Sequence, residues 1–250
     1  MAEALRRVLD AGGAARARKE WPEPGPPLLL LGGPGSGKTS LLFAAALDAA
    51  GEGRGPVLFV TRTPLQSLPL SSRAARDPLR LQKVRFHYPP STQELLRLLC
   101  SAHEAPGPAP SLLLLDGLEE YLAEDQGTQE AAYLAALLLD TAAYFSDRLG
   151  SNRNCGLLVA LETREEAESG DNLQLGLIRR YFPAQCWLRP DAAHLGQWHL
   201  QVFLQSGRQS PGGEWLMTFL PSGEMRITLR PTQASTPSPD KKSSSAGGKA

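Results

Sequence analysis

Gly32-Gly33-Pro34-Gly35-Ser36-Gly37-Lys38-Thr39 satisfies the pattern G-x-x-x-x-G-K-[ST] in full, between an apolar run, Pro27 to Leu31, and a helix-forming run, Ser40 to Ala50. Glycines let the backbone curl until successive N–H groups converge on phosphate oxygens, and the helix that follows adds its positive N-terminal dipole there. Gly32, Gly33, Pro34, Gly35, Ser36, Gly37, Lys38, Thr39 and Ser40 are therefore the candidate phosphate-binding residues. Lys38 is placed to reach the β- and γ-phosphates of a bound nucleotide, and the Thr39 hydroxyl to coordinate Mg2+. A Gly/Pro-rich strand-to-helix turn can meet such a pattern by chance, but the correct flanks favour a P-loop.

A chain of 250 residues has room for one large α/β domain, or for a smaller domain with tails. Its 26 Lys and Arg balance 26 Asp and Glu, so no global field draws a polyanion, and any nucleic-acid contact requires a local patch. The 3 cysteines, Cys100, Cys155 and Cys186, lie far apart with no C-x-x-C spacing, which speaks against a zinc site or disulfide scaffold. No apolar stretch approaches the roughly 20 residues of a membrane span, and Arg6, Arg7, Arg16, Arg18 and Lys19 interrupt any leader-like run. The expectation is a soluble intracellular protein with no membrane partner.

In chain order, Ala2 to Glu20 places Leu5, Val8 and Leu9 at helical spacing, a short basic amphipathic helix that is either a docking arm or a partly ordered extension. Leu28 to Leu31 reads as a central strand buried on both faces. Val57 to Val60 is a second strand, leading into Thr61-Arg62-Thr63 at the rim where parallel strands present ligand-binding loops. Arg73, Arg76, Arg80 and Lys83 follow with Asp77 alone opposing them, either a basic lid or a solvated face. Val84 to Tyr88 is a third strand, in which His87 is given no role, and Ser91-Thr92-Gln93-Glu94 reads as the N-cap of a helix.

Four leucines and a carboxylate, Leu112 to Asp116, have the shape of a Walker B strand, with Asp116 as the second magnesium-site residue beside Thr39. Gly117 to Gly127 is an acidic connection containing Glu119, Glu120, Glu124 and Asp125, and the periodicity predicts a long helix from Thr128 to Leu149. Gly156 to Leu161 is a fifth strand that delivers Glu162 and Thr163 to the rim of Asp116. From Leu173 on, Cys186 to Leu188, Trp198 to Leu204, Trp215 to Leu220 and Met225 to Leu229 read as short strands of an antiparallel meander. The expected organisation is an N-terminal arm over 1–26, a core over 27–230 and a disordered Ser/Pro/Gly/Lys-rich tail over 231–250.

This order of elements resembles the RecA-like P-loop NTPase core: α/β, with a mainly parallel central sheet and a C-terminal antiparallel meander. Pro26 to Gly32, Leu81 to Phe86, Tyr88 to Thr92 and Ser111 to Glu124 are similar, more specifically, to recombinase paralogues of the vertebrate Shu-type complex, the ATPases that partner a SWIM-type zinc-finger protein. The resemblance implies a nuclear ATPase stimulated by single-stranded DNA, which supports RecA-type recombinase filaments in homologous-recombination repair. Phe43-Ala44-Ala45-Ala46 resembles the Phe-x-x-Ala docking tetrapeptide of recombinase polymers, but on this helix Phe43 is read as core.

Two departures from the family bear on catalysis. The family usually carries a water-polarising glutamate just beyond the second strand, where this chain has Thr63, and a glutamine at the end of the fifth strand, where this chain has Glu162. Glu162 is thereby the candidate for water activation, with Lys38 the other catalytic residue. Losing a general base costs on the order of 10²- to 10⁴-fold, so slow hydrolysis is expected. The alternatives are an inactive P-loop paralogue serving as a structural subunit and a small-molecule kinase; the antiparallel meander and the lack of an Arg-rich lid helix disfavour the kinase.

Overall fold

The computed structural model describes residues 3–11, 25–51, 55–67, 69, 77–122, 128–150, 153–163, 173–191, 197–204 and 213–229. Arg73, Arg76, Glu124, Asp125, positions 12–24 of the arm, the loop 164–172 and the tail 231–250 lie outside those residues.

In order, the elements are α1 (Glu3–Ala11), β1 (Leu28–Gly32), α2 (Lys38–Ala50), β2 (Val57–Thr61), α3 (Pro78–Leu81), β3 (Val84–His87), α4 (Thr92–Cys100), β4 (Leu112–Asp116), α5 (Thr128–Leu149), β5 (Gly156–Glu162), α6 (Leu173–Tyr181), β6 (Ala184–Pro190), β7 (Gln197–Leu204), β8 (Gly213–Phe219) and β9 (Met225–Leu229). One 9-stranded sheet runs β3-β2-β4-β5-β1-β6-β7-β8-β9. Neighbours from β3 through β6 are parallel, and those from β6 through β9 antiparallel. Leucine-only strands follow from this position: β1 and β4 are flanked by strands on both edges and covered by helices on both faces, so every residue in them is buried.

Leu28 and Leu30 face one apolar cluster with α1, α2 and the antiparallel strands, whereas Leu29 and Leu31 face a second with α4, α5 and α6. The alternation of side chains along a strand thus assigns successive leucines to opposite layers. α2 is buried nearly all round, from Leu41 to Ala50, because the sheet covers one side and α1 the other. Small Ala44, Ala45, Ala46, Ala49 and Ala50 allow that close approach, and Phe43 is fully buried, as the core reading requires. Leu5 and Leu9 of α1 are buried too, and Arg7 Nε donates to Asp48 Oδ2 of α2 at 2.6 Å.

Two sequence readings, those of the stretch after Leu173 and of Arg80, are corrected, and the meander forms with one added feature. The stretch after Leu173 opens with a helix, α6, before any strand; Leu175 and Ile178 are its buried i, i+3 pair, a signal masked by its brevity and by Gly176. The C-terminal meander is hitched to the core by β6, which pairs parallel with β1 before the direction reverses. Arg80 is no free basic group: it donates to Leu47 O at the carboxyl end of α2 and pairs with Asp77 at 3.3 Å, so it secures a helix end and belongs to no lid. The cap at Ser91 forms as expected, Glu94 N donating to Ser91 Oγ at 3.3 Å, and the Glu94 carboxylate pairs with Arg97.

Candidate functional site

The carboxyl ends of the parallel strands are level, since Gly32 of β1 is in register with Glu162 of β5, and Thr61 of β2 with Asp116 of β4. Residues far apart in sequence therefore meet at one rim, where open parallel sheets place their ligands. Between β1 and α2 the loop turns through Gly35 at φ 67° and Gly37 at φ 87°, left-handed conformations that glycine adopts without a Cβ penalty. Ser36 N closes the turn by donating to Gly33 O at 3.3 Å.

Lys38 is the first residue of α2, and its ammonium folds back over the loop. Nζ donates to Gly32 O at 2.8 Å and Gly33 O at 2.7 Å, and stands 3.6 Å from Glu162 Oε2. One cation so held, only 8% exposed, is pre-positioned for an anion entering the loop. Next to it, Thr39 Oγ1 donates to Asp116 Oδ2 at 2.6 Å, bringing together the two residues singled out for magnesium.

Asp116 is 8% exposed, and burial raises its pKa above the ordinary carboxylate value, partly offset by the Thr39 bond and Lys38. A buried carboxylate with a hydroxyl oxygen beside it is a hard-oxygen pair suited to a small divalent cation. The residues present thus fit a magnesium ion carried in with nucleotide. They form part of a crevice of about 590 Å³, which also includes Thr61, Thr63, Leu65, Glu119, Glu120 and Phe219, a volume within the usual range for small-molecule sites.

Of the residues assigned to the site from sequence, Gly35 to Thr39, Ser40, Asp116 and Glu162 line the crevice, Gly32 and Gly33 offer the carbonyls that hold Lys38, and Pro34 is not in the lining; Glu162 is there as the partner of Lys38. Sequence reasoning gave no site role to Glu119, Glu120, Leu65 or Phe219. Glu119 sits in a 3-10 turn, Leu118–Tyr121, which Gly117 starts at φ 80°. Its Oε2 accepts the Glu162 backbone N–H at 2.7 Å, and burial raises its pKa. The detectable signal was the spacing: a carboxylate three residues beyond Asp116, one tight turn past the strand end. Phe219 could not be placed from sequence, because only the folding of β8 across the loop brings it to Gly37, where a Cβ would lie 2.7 Å from its Cζ.

Arg62, the cation on the β2 rim, is committed to architecture. Its Nη1 donates to Glu120 O at 2.6 Å and its Nε to Pro90 O at 3.1 Å, tying the exits of β2, β3 and β4 together. No helix among the described residues is long and apolar enough to cross a membrane.

Solved structures of similar fold include the RadB recombinase (TM-score 0.60, 15% identity, 83% of this chain and 93% of that one). A DnaB-like replicative helicase, solved in a study of its interactions with primase, is also similar (0.55, 11%, 80% and 57%). At such identities the likeness establishes the fold, RecA-like, and nothing finer. No protein-family model matches the chain. Two whole-chain relatives are far nearer in sequence: ATPase SWSAP1 of Mus musculus is 69% identical over 249 residues, 99% of this chain and 88% of its own length. ATPase SWSAP1 of Homo sapiens is 69% identical over 226 residues, 90% of this chain and 99% of its own length. With that identity across nearly its full length, and with an ordered P-loop lysine and a Thr–Asp pair in the crevice, the chain belongs to the SWSAP1 family of ATPases.

Proposed function

We propose that the chain binds ATP with magnesium at this rim and hydrolyses it slowly, stimulated by single-stranded DNA, as a nuclear subunit that joins a SWIM-type zinc-finger protein and supports RecA-type recombinases and their paralogues in homologous recombination. The observation that carries the nucleotide part is the 2.6 Å contact of Thr39 and Asp116 beside a buried Lys38. Lys38 exchanges its carbonyl partners for β- and γ-phosphate oxygens, the amides of Gly35 to Thr39 and the α2 dipole hold the remaining negative charge, and Glu162, 3.6 Å from Lys38, orients that ammonium. Magnesium, when bound, would be held by Thr39 and Asp116 and would neutralise charge on the β- and γ-phosphates. The DNA and protein partners rest on the family resemblance and on the RecA-like fold; on the basic segment, Lys83 is the remaining described candidate for phosphate contact.

A second reading, a binding-only subunit whose nucleotide stabilises the fold, is favoured by one feature: Thr63 leaves the β2 rim without a carboxylate. Titration of labelled ATP separates these readings when phosphate release is followed in parallel, with and without the SWIM-type partner and single-stranded DNA. Lys38→Ala is expected to remove two charge-assisted contacts, each about 1.5–3 kcal/mol, and hence to weaken ATP by at least about 10²-fold. Unchanged ATP affinity in that variant overturns the site. ATP binding without phosphate release under any condition leaves the structural reading.

A further inference from the structure

We propose that Glu119 is the carboxylate that holds and deprotonates the water attacking the γ-phosphate. The inference rests on the ATPase reading of the same crevice and assigns a role that the P-loop, Asp116 and Glu162 leave open.

Four groups at the rim compete for it. Thr63 has no carboxylate. Glu162 Oε2 is engaged with the Lys38 ammonium at 3.6 Å, the cation that must meet the phosphate. Glu120 is exposed, and its Oε1 lies against Gly117, where a Cβ would be 2.8 Å away. Glu119 alone combines partial burial with a fixed carboxylate in the crevice: Oε2 takes the Glu162 N–H at 2.7 Å. Because Glu162 N belongs to the β5 residue in register with Gly32, that bond places the Glu119 carboxylate at the strand end adjoining the P-loop.

The platform is rigid, as a water-positioning group requires. Leu118 and Tyr121 are each 1% exposed and clamp the turn from both sides of Glu119. Tyr121 Oη donates to Pro89 O at 3.0 Å, and Thr92 Oγ1 donates to Tyr121 O at 2.9 Å, so the turn is tied to the β3–α4 connection. The Lys38 charge acts on Glu119, and the Glu119 charge acts on Asp116, so the carboxylate shares the neighbourhood in which a phosphoryl group held by Lys38 must sit.

In the step, a lone pair on the water oxygen forms the new O–P bond to the γ-phosphorus while the bond from phosphorus to the β,γ-bridging oxygen breaks. Its electron pair stays on the β-phosphate of ADP. The proton leaves the water for the Glu119 carboxylate and is released to solvent with inorganic phosphate. The glutamate usual on the β2 side is thus replaced by one from the β4 side of the same crevice.

The test uses the full chain in complex with its partner, with mant-ATP binding, phosphate release and trapping of ADP–aluminium fluoride as separate readouts. Glu119→Gln keeps an oxygen to accept the Glu162 N–H, so it should fold, bind ATP within about threefold of wild type and lose 10²- to 10⁴-fold in turnover. It should also trap ADP–aluminium fluoride poorly. Glu119→Asp should fall between, and the remote, exposed Glu104→Gln should match wild type. Turnover by Glu119→Gln equal to wild type overturns the proposal, and a loss confined to Glu162→Gln hands the role to Glu162. Parallel loss of ATP binding and turnover in both Glu119 variants makes the residue structural and overturns it as well. If wild type releases no phosphate at all, the ATPase reading fails first and the proposal falls with it.

Discussion

Leu9→Ala and Leu79→Ala are the same chemical change at opposite extremes of burial, 0% against 69% exposure. Leu9 lies in α1, between α2 and β9, within the apolar cluster that also holds Leu41 and Leu28. Truncation there removes buried carbon at about 0.8 kcal/mol per methylene-sized group. The cavity left behind adds to this, giving a usual range of about 2–5 kcal/mol for Leu→Ala in a core. With no solvent contact to relieve the void, we expect about 3 kcal/mol for Leu9→Ala, a large share of the roughly 5–15 kcal/mol that holds a domain together. Leu79→Ala, on the outer side of the one-turn helix α3, should cost under about 0.5 kcal/mol. Urea unfolding followed by circular dichroism measures both, the midpoint moving and the slope staying constant. If Leu9→Ala shifts the midpoint no more than Leu79→Ala, α1 does not dock on α2, and the N-terminal helix is no part of the core.

Glu119→Gln should raise the thermal midpoint of the nucleotide-free protein at neutral pH. Burial raises the Glu119 pKa above its ordinary 4.5, so its contribution to stability is present below that value and is lost as pH rises through the folded-state pKa. The gap between variant and wild type should therefore close on acidification toward the ordinary carboxylate range; a gap constant with pH contradicts the shift. Thiol labelling should modify Cys100 alone in the native protein, because burial pushes the Cys155 and Cys186 thiols up to about 12; rapid labelling at either refutes their placement. Gly37→Ala should cost about 1–3 kcal/mol from its left-handed backbone. Adding Phe219→Ala should relieve the 2.7 Å side-chain contact and leave that backbone cost in place, so full recovery of stability in the double variant refutes the strain.

The candidate site was legible where its chemistry is written in contiguous residues. Gly32 to Thr39 needs no tertiary information, and Leu112 to Asp116 needs only the knowledge that a P-loop precedes it. Legibility failed where a role depends on which strand ends become neighbours. Glu119 stood in an acidic connection beside Glu120, Glu124 and Asp125, and nothing local separates it from them. Only the register of β5 against β1, and the bond from Glu162 N, single it out. Arg80 failed in the opposite direction: a basic residue in a basic stretch reads as available, and its bond to Leu47 O emerges only when α3 meets the end of α2. α6 was hidden because two buried residues and a glycine in one short element carry too little periodicity to outweigh the strand-like text around them.

The glycines of the loop carry more than phosphate chemistry. At Gly35 a Cβ would meet nothing within 4 Å, so there the requirement is conformational, φ 67°, together with room for a ligand. At Gly32 a Cβ would stand 2.7 Å from Ser36 Oγ and 3.0 Å from Leu188 O, on β6; at Gly37 it would stand 2.7 Å from Phe219 Cζ and 2.9 Å from Met217 Cε, on β8. Gly32 and Gly37 therefore let the C-terminal strands press against the loop, while Gly35 shapes its open side. It follows that the antiparallel strands help to form the candidate site. A fragment ending after β5 would contain every motif residue, Lys38, Thr39, Asp116 and Glu162 included, and would still lack the wall of Leu188, Met217 and Phe219 against which the P-loop is held.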